Sequence, residues 1–260
     1  MLVTLKHYTP NIGDDIQKLG LATILPEDTV YINRQNRDRL LALPHTAKLI
    51  VNGWFNRNIH DWYSNLQCQT LYIGFYINKA INLNGSIGCR DTHTLGLYGN
   101  GWLSYCTSLL LGGQNRTRKR NGVVICDVAP HHLVQIRDEI VLNATIVNHE
   151  QDWSGMDRDA EANRLLDIYA NAELVITSRL HALLPCLAFG TPVVFTNRDF
   201  EPQRANGYEG LYWTLDDVPW SISAPDKHNP WIHIPPKVSP EFIRGMTQPM
   251  KHTIQKFIHS

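Results

Sequence analysis

Neither sign of charge is in excess. The sequence holds 24 Lys+Arg against 24 Asp+Glu, a formal net charge of zero. Long-range attraction to nucleic acid or to an anionic membrane is therefore not a basis for function, and any anion must be caught by arginines gathered in a pocket. Cysteine is scarce as well: Cys68, Cys89, Cys106, Cys126 and Cys186 are odd in number, scattered and never spaced C-x-x-C. That pattern argues against a disulfide framework and a structural zinc. No basic stretch followed by an apolar run stands at Met1, so no signal peptide is read there and cytoplasm is the expected compartment. The most apolar window, 174–195, is interrupted by Arg179, His181 and Pro185, which rules it out as a membrane span. Matches to N-x-[ST] at Asn84, Asn115 and Asn143 are no more than chance supplies. What remains, 43% apolar and 18% charged over 260 residues, describes a globular chain able to bury a full core, as one large domain or two small ones.

The most informative stretch runs from Leu174 to Asn197. Leu174-Val175-Ile176-Thr177 is apolar and β-branched, which predicts a buried strand. Ser178 stands where a helix N-cap belongs, with Arg179, Leu180 and His181 in the following first turn. The helix ends at Gly190, a C′ glycine, and Val193-Val194-Phe195 predicts a second strand. Strand, helix and strand in this order make a βαβ unit, and such units carry their working residues at the carboxyl ends of strands. A cation at a helix N-terminus opposes the dipole unless an anion joins it. Arginine offers a planar fork for phosphate or carboxylate, and histidine moves a proton near neutral pH. Two readings stand here: an anion fork beside a proton-transfer histidine, or an arginine paired with a local carboxylate above an interior histidine. Pro185 falls inside the helix and is expected to kink it.

The amino-terminal half repeats the strand–turn–helix theme. Leu2–Leu5 predicts a strand, Asn11-Ile12-Gly13-Asp14 a turn, and 14–24 a helix whose Asp14 and Asp15 suit the first turn electrostatically. One glycine is too few for a dinucleotide fingerprint. Further strands are predicted at 30–32, at 48–51 running into Asn52-Gly53-Trp54, and at 71–75, each emptying into a loop with Asn, Gly or an aromatic residue. Ser86–Thr94 delivers Arg90 at a strand end before a helix capped by Asp91 or Thr92; Arg90 is a second anion fork or an ion pair with Asp91. Gln114–Asn121 has four positive charges and no apolar residue, and is read as an exposed linker. Beyond it, 122–127 and 145–149 predict strands and Asp157–Ala172 an amphipathic helix. The adjacent His131 and His132 lack a third ligand at metal spacing, so no metal site is expected. Past Phe200 the chain is rich in Pro and Trp (Trp213, Trp220, Trp231), and a last helix is expected at 240–259, packing back across one half.

N-I-G-D at 11–14, N-G-W at 52–54, I-G-C-R-D-T-H-T at 87–94, and V-I-T-S-R-L-H-A at 175–182 followed by G-T-P-V-V resemble the polysaccharide pyruvyl transferase family. The resemblance implies an α/β fold of the GT-B kind, with two Rossmann-like parallel-sheet halves facing across a cleft. Residues 1–115 would be the acceptor side, and 116–260, with the tail and last helix, the donor side. It implies transfer of the enolpyruvyl group of phosphoenolpyruvate to a saccharide, forming a pyruvate ketal, with no cofactor and no metal. Arg90, Ser178, Arg179, Leu180 and His181 would bind the donor; His181 would be the general acid, with Arg179 and Asp14 also catalytic. Asn11, Asp14, Asn52 and Trp54 would meet the acceptor, a saccharide or a glycolipid; a lipid-linked acceptor would bring the protein near a membrane. Two rival readings share the scaffold: a glycosyltransferase using a nucleotide-sugar donor, and a non-catalytic sugar- or anion-binding protein.

Overall fold

The computed structural model describes the chain apart from residues 8, 56–61, 80, 84, 115, 117–118, 197–201 and 219–233. Asn84, Asn115, Phe200, Trp220 and Trp231 therefore lie outside the described residues. The first half runs β1 (Leu2–Lys6), α1 (Gly13–Ala22), β2 (Val30–Asn33), α2 (Arg37–Leu41), β3 (Lys48–Phe55), β4 (Gln69–Ile77), β5 (Ile87–Cys89), α3 (Thr92–Leu97) and β6 (Trp102–Leu103). These strands form one parallel sheet in the order β2-β1-β3-β4-β5-β6. The second half runs β7 (Val123–Cys126), α4 (Pro130–Leu133), α5 (Asp138–Asn143), β8 (Thr145–Val147), α6 (Arg158–Asn171), β9 (Leu174–Thr177), α7 (Leu180–Phe189) and β10 (Val193–Phe195). Its parallel sheet has the order β10-β9-β7-β8. The protein is thus α/β, with two Rossmann-like parallel sheets. The central strands read as unbroken apolar runs, VVIC in β7 and LVIT in β9, because helices cover both faces of a parallel sheet.

The largest core lies between the halves. Ile12 and Ile16 of α1, Leu109 and Leu111 of a 3₁₀ turn at Thr107–Gly113, and Leu165, Leu166 and Tyr169 of α6 pack around α7. All ten residues of α7 are buried, as expected of a helix apolar on every side. Polar fasteners cross the same seam: Asp15 is paired with Arg158 at 2.5 Å, and Ile12 N–H donates to His149 O at 3.0 Å. The halves are joined by this packed seam, and two cavities, of about 540 and 280 Å³, open along it.

Within 114–121, Arg116 and Arg120 behave differently from an exposed linker. Arg116 donates to the Asn163 side chain at 2.7 Å and pairs with Asp167 on α6. Arg120 donates to the carbonyls of Ala170, Ala172, Phe189 and Gly190, where α6 and α7 end. The last turn of a helix leaves carbonyls without partners and carries negative dipole charge, so a guanidinium fork satisfies both. A run of charges in sequence does not reveal the carbonyls it will meet. The final helix, α8 (Pro240–His259), was grouped with the donor half on sequence but lies against the first sheet. Its Met250 and Ile254 pack with Leu21, Ile50, Leu71 and Ile73, and Lys48 Nζ donates to Ile258 O at 3.0 Å. The stripe Ile243, Thr247, Met250, Ile254 has helical spacing, and its amino-terminal end reaches the shared core.

Candidate active site

Most of the polar groups of interest stand near the carboxyl end of a strand, where parallel sheets leave backbone groups and loops open to a ligand. In the first sheet β1 leads to His7 and β2 to Arg34, while Asn52 and Trp54 lie in the carboxyl-terminal half of β3. Register shifts between Val51 and Gly53 in the β3–β4 pairing, and Gly53 has φ +110°. A Cβ on Gly53 would lie 3.3 Å from the His7 ring, so this position needs glycine both for its backbone and for the close approach. The Asp14 carboxylate accepts from Thr9 Oγ1 at 2.9 Å and stands 3.9 Å from His7 Nδ1 and 4.0 Å from the Arg34 guanidinium. Arg34 also donates to Trp54 O and lies 5.7 Å over the Phe55 ring. Asp14 and the backbones of Asn52 and Trp54 therefore lie around His7 and Arg34, two residues that the sequence reading did not single out. The signal for His7 and Arg34 was present, since each stands two residues past a predicted strand and directly after the observed β1 or β2.

Burial, with the Arg34 charge adding to it, pulls His7 down to about 4 against the opposing attraction of Asp14. The unfolded chain binds this proton from about pH 6.5 downward while the folded chain refuses it, so stability falls as pH drops between those values. A shift of this size corresponds to roughly 3 kcal/mol. Unfolding curves should show that loss between pH 7 and pH 4.5, and His7→Asn should lose measurably less over the same interval. Equal slopes for the two proteins would assign the acid sensitivity elsewhere.

Arg90 follows β5 directly. It is 0% exposed, its guanidinium lies 4.2 Å from the centroid of the Tyr76 ring, and Nε donates to Asp91 Oδ2 at 3.4 Å. Asp91 itself caps α3, its Oδ1 accepting from Thr94 N–H at 2.8 Å. The two terminal nitrogens of Arg90 have no hydrogen-bond partner among the described residues. Its backbone is held from the other half: Tyr208 donates its hydroxyl hydrogen to Arg90 O at 2.8 Å and accepts from Cys106 N–H at 2.9 Å. Tyr208, beyond the last strand, was not recognisable in sequence because only the folded chain returns it to β5.

At the end of β9 the helix begins one residue later than expected. Arg179 is the N-cap of α7; Ser178 Oγ instead donates to Asp127 O at 2.5 Å, and Thr177 Oγ1 accepts from Arg179 N–H at 2.9 Å. The Arg179 fork is not open. Nε donates to Asp127 Oδ2 at 2.6 Å and a terminal nitrogen to Glu150 Oε1 at 2.6 Å. Burial works to lower the Arg179 pKa, and the Glu150 and Asp127 carboxylates outweigh it, so the group stays firmly charged. Asp127 and Glu150 follow β7 and β8, so parallel pairing of those strands with β9 brings together what the chain separates. Asp127 has φ +50°, a left-handed backbone that a non-glycine residue adopts at a cost of about 1–3 kcal/mol, as is common at functional sites.

His181, 4% exposed, turns toward the other half of the molecule. A Cβ on Gly13 would fall 2.5 Å from its Nδ1 and 2.9 Å from Asn11 Oδ1, so the imidazole rests on the amino-terminal turn of α1. Asn11 Oδ1 accepts from Gly13 N–H at 2.8 Å, and Asn11 bridges to Glu150. Of the four residues expected to meet the acceptor, Asn11 therefore joins the His181–Arg179 side and the other three the His7–Arg34 side, with α1 between. α1 also reaches the Arg90 side: three residues beyond Asp14, Gln17 Oε1 accepts from Cys106 Sγ at 3.6 Å, beside the Tyr208 bond to Arg90. Gly13→Ala should push the imidazole out of place. Overpacking this buried contact costs about 1–3 kcal/mol, so Tm should fall, and any activity that uses His181 should drop more than tenfold in protein that is still folded; an unaltered rate would show that the ring position does not matter.

His131 and His132 stack on each other in α4, and no group of three metal-ligating side chains occurs among the described residues. None of the described helices is long and apolar enough to cross a membrane. The segment from β4 to just past β10, carrying both Arg90 and the Arg179–His181 turn, is the part that known proteins share. Residues 75–199 match the family of polysaccharide pyruvyl transferases. That segment is just under half of the chain, and it supports this activity at the level of the family. No curated protein matches the sequence. Among solved structures, a functionally uncharacterized protein from Klebsiella pneumoniae subsp. pneumoniae is similar, with 12% identity, 78% of this chain and 85% of that one covered, and a TM-score of 0.46.

Proposed function

We propose that the chain transfers the enolpyruvyl group of phosphoenolpyruvate to a saccharide, free or lipid-linked, releasing phosphate and forming a pyruvate ketal. The observation that supports this reading best is Arg90: a wholly buried guanidinium whose terminal nitrogens have no hydrogen-bond partner among the described residues. Burying a charge without partners is costly, and five fixed donors are matched to phosphate or carboxylate. A small, multiply anionic donor satisfies that requirement in a protein of zero net charge.

The positive dipole end of α7 offers a second anchor, and Arg179 a third. Glu150, whose side chain is 49% exposed, is the carboxylate that the donor would replace on Arg179, while Asp127 keeps the guanidinium in place. His181, as general acid, gives its proton to C3 of phosphoenolpyruvate while the double bond opens and C2 becomes oxocarbenium-like. A saccharide hydroxyl adds at C2 and loses its proton to a base, for which Asp14 is the candidate. Phosphate then leaves with its bonding electrons, a second hydroxyl closes the ketal, and its proton restores the charge balance. No cofactor is needed, because the donor carries the reactive double bond.

Incubation with phosphoenolpyruvate and a panel of glycosides, followed by phosphate release and the mass gain of a pyruvate ketal, tests the reaction. Thermal stabilisation by phosphoenolpyruvate but not by UDP is expected; stabilisation by UDP alone would favour nucleotide-sugar chemistry instead.

A further inference from the structure

The carboxyl ends of β1, β2 and β3 carry more unanswered hydrogen-bonding capacity than a finished protein interior tolerates. Among the described residues, Arg34 (4% exposed) has no partner on Nε, Asn52 (1% exposed) none on Oδ1, and the buried Tyr63 none on its hydroxyl. His7 Nδ1 likewise has no hydrogen bond, facing Asp14 only at 3.9 Å. These groups belong to one cluster. Arg34 lies over Phe55, whose ring meets Tyr63 edge-on at 5.2 Å, and the bulge at Gly53 presses the backbone beside Asn52 against His7. Buried polar groups are nearly always paired, so several orphans in one place point to a ligand that is absent.

The kinds of orphan decide the kind of ligand. Arg34 Nε and Tyr63 Oη offer hydrogens, Asn52 Oδ1 only accepts, and neutral His7 can do either. Asp14 offsets the Arg34 charge, which makes the cluster a poor trap for an anion. A ligand that both donates and accepts at neighbouring atoms, without net charge, is a polyhydroxyl. We propose that His7, Arg34, Asn52 and Tyr63 cradle the hydroxyls of the acceptor saccharide, with His7 and Arg34 positioning the Asp14 carboxylate to receive a hydroxyl proton. This rests on the transferase reading above and assigns its acceptor side to three residues, His7, Arg34 and Tyr63, that neither the sequence motifs nor the matched segment contain. His7 lines the 280 Å³ cavity, and Thr9, which donates to Asp14, lines the 540 Å³ one, so the cradle borders both openings along the seam.

Tyr63→Phe separates a ligand role from a structural one, because it deletes a hydroxyl that bonds none of the described residues. A buried hydroxyl without a partner destabilises, so its removal should leave Tm unchanged or raise it. Saturation-transfer NMR against methyl galactoside, methyl glucoside and methyl mannoside reads binding directly, without catalysis. At least one glycoside should bind the parent protein and bind Tyr63→Phe and Asn52→Ala at least fivefold more weakly, while phosphoenolpyruvate stabilises all three proteins alike. Equal glycoside binding by parent and variants, binding of none of the glycosides, or a fall in Tm for Tyr63→Phe would each overturn the cradle. Loss of phosphoenolpyruvate stabilisation in the parent protein would instead count against the transferase reading and leave the sugar-binding result to stand by itself.

Discussion

Replacing His181 with alanine is expected to reduce pyruvyl transfer by about 10²–10⁴-fold, the usual contribution of a well-placed proton donor. Phosphoenolpyruvate should still raise the Tm of the variant, because its charges are held by Arg90, Arg179 and the start of α7 rather than by the imidazole. The expectation follows from where the ring sits. It occupies the first turn of a helix that is otherwise all core, yet faces the α1 turn through Gly13 and Asn11. A histidine serving only as filler would have needed neither a glycine opposite it nor a neighbouring amide. Alanine leaves a small cavity, so a modest fall in Tm accompanies the loss, and the donor-induced shift must be measured against the variant's own baseline. A variant that transfers pyruvate at the parent rate removes His181 from the mechanism, and one that no longer responds to phosphoenolpyruvate makes it a binding residue.

Arg90→Met should abolish the response to phosphoenolpyruvate altogether. Hydrogen bonds to charged groups contribute about 1.5–3 kcal/mol each, so losing both terminal nitrogens costs about 3–6 kcal/mol, or 10²–10⁴-fold or more in affinity. The ligand-free protein should change in the opposite direction. Its methionine replaces a buried charge whose ion-pair contact among the described residues is Asp91 at 3.4 Å, and a side chain of similar length keeps the stacking volume over Tyr76. Exchanging a poorly compensated buried cation for an apolar group is commonly neutral or stabilising. Arg90→Lys keeps the charge without the planar fork and should recover only a small part of the binding. Isothermal titration with phosphoenolpyruvate, alongside chemical unfolding of the ligand-free proteins, reads both quantities. A large loss of unfolding free energy with binding intact would make Arg90 a structural residue.

The alternation of strand and helix, the parallel sheets and the βαβ unit at 174–195 were legible in the sequence alone, because they follow from short-range physics. β-branched runs of four, a C′ glycine at Gly190 with φ +68°, an Asp91 cap and a four-three-four apolar stripe on the last helix each act within a few residues. Arg90, Arg179 and His181 could be singled out for the same reason, since a charged or titratable group beside a strand end is a local anomaly. The partners of those groups were decided only by the tertiary structure. Whether Arg179 stands open or paired depends on Asp127 and Glu150, which strand pairing delivers from 52 and 29 residues away. Whether Arg120 is a linker charge or a double helix cap depends on where α6 and α7 end. The split of the acceptor residues by α1, with Asn11 on one side and Asp14, Asn52 and Trp54 around His7 and Arg34 on the other, arises from the packing of two halves. Chain-local propensity carries no information about which strand ends will converge; burial of the shared apolar seam does, and it brings the polar ends together as a consequence.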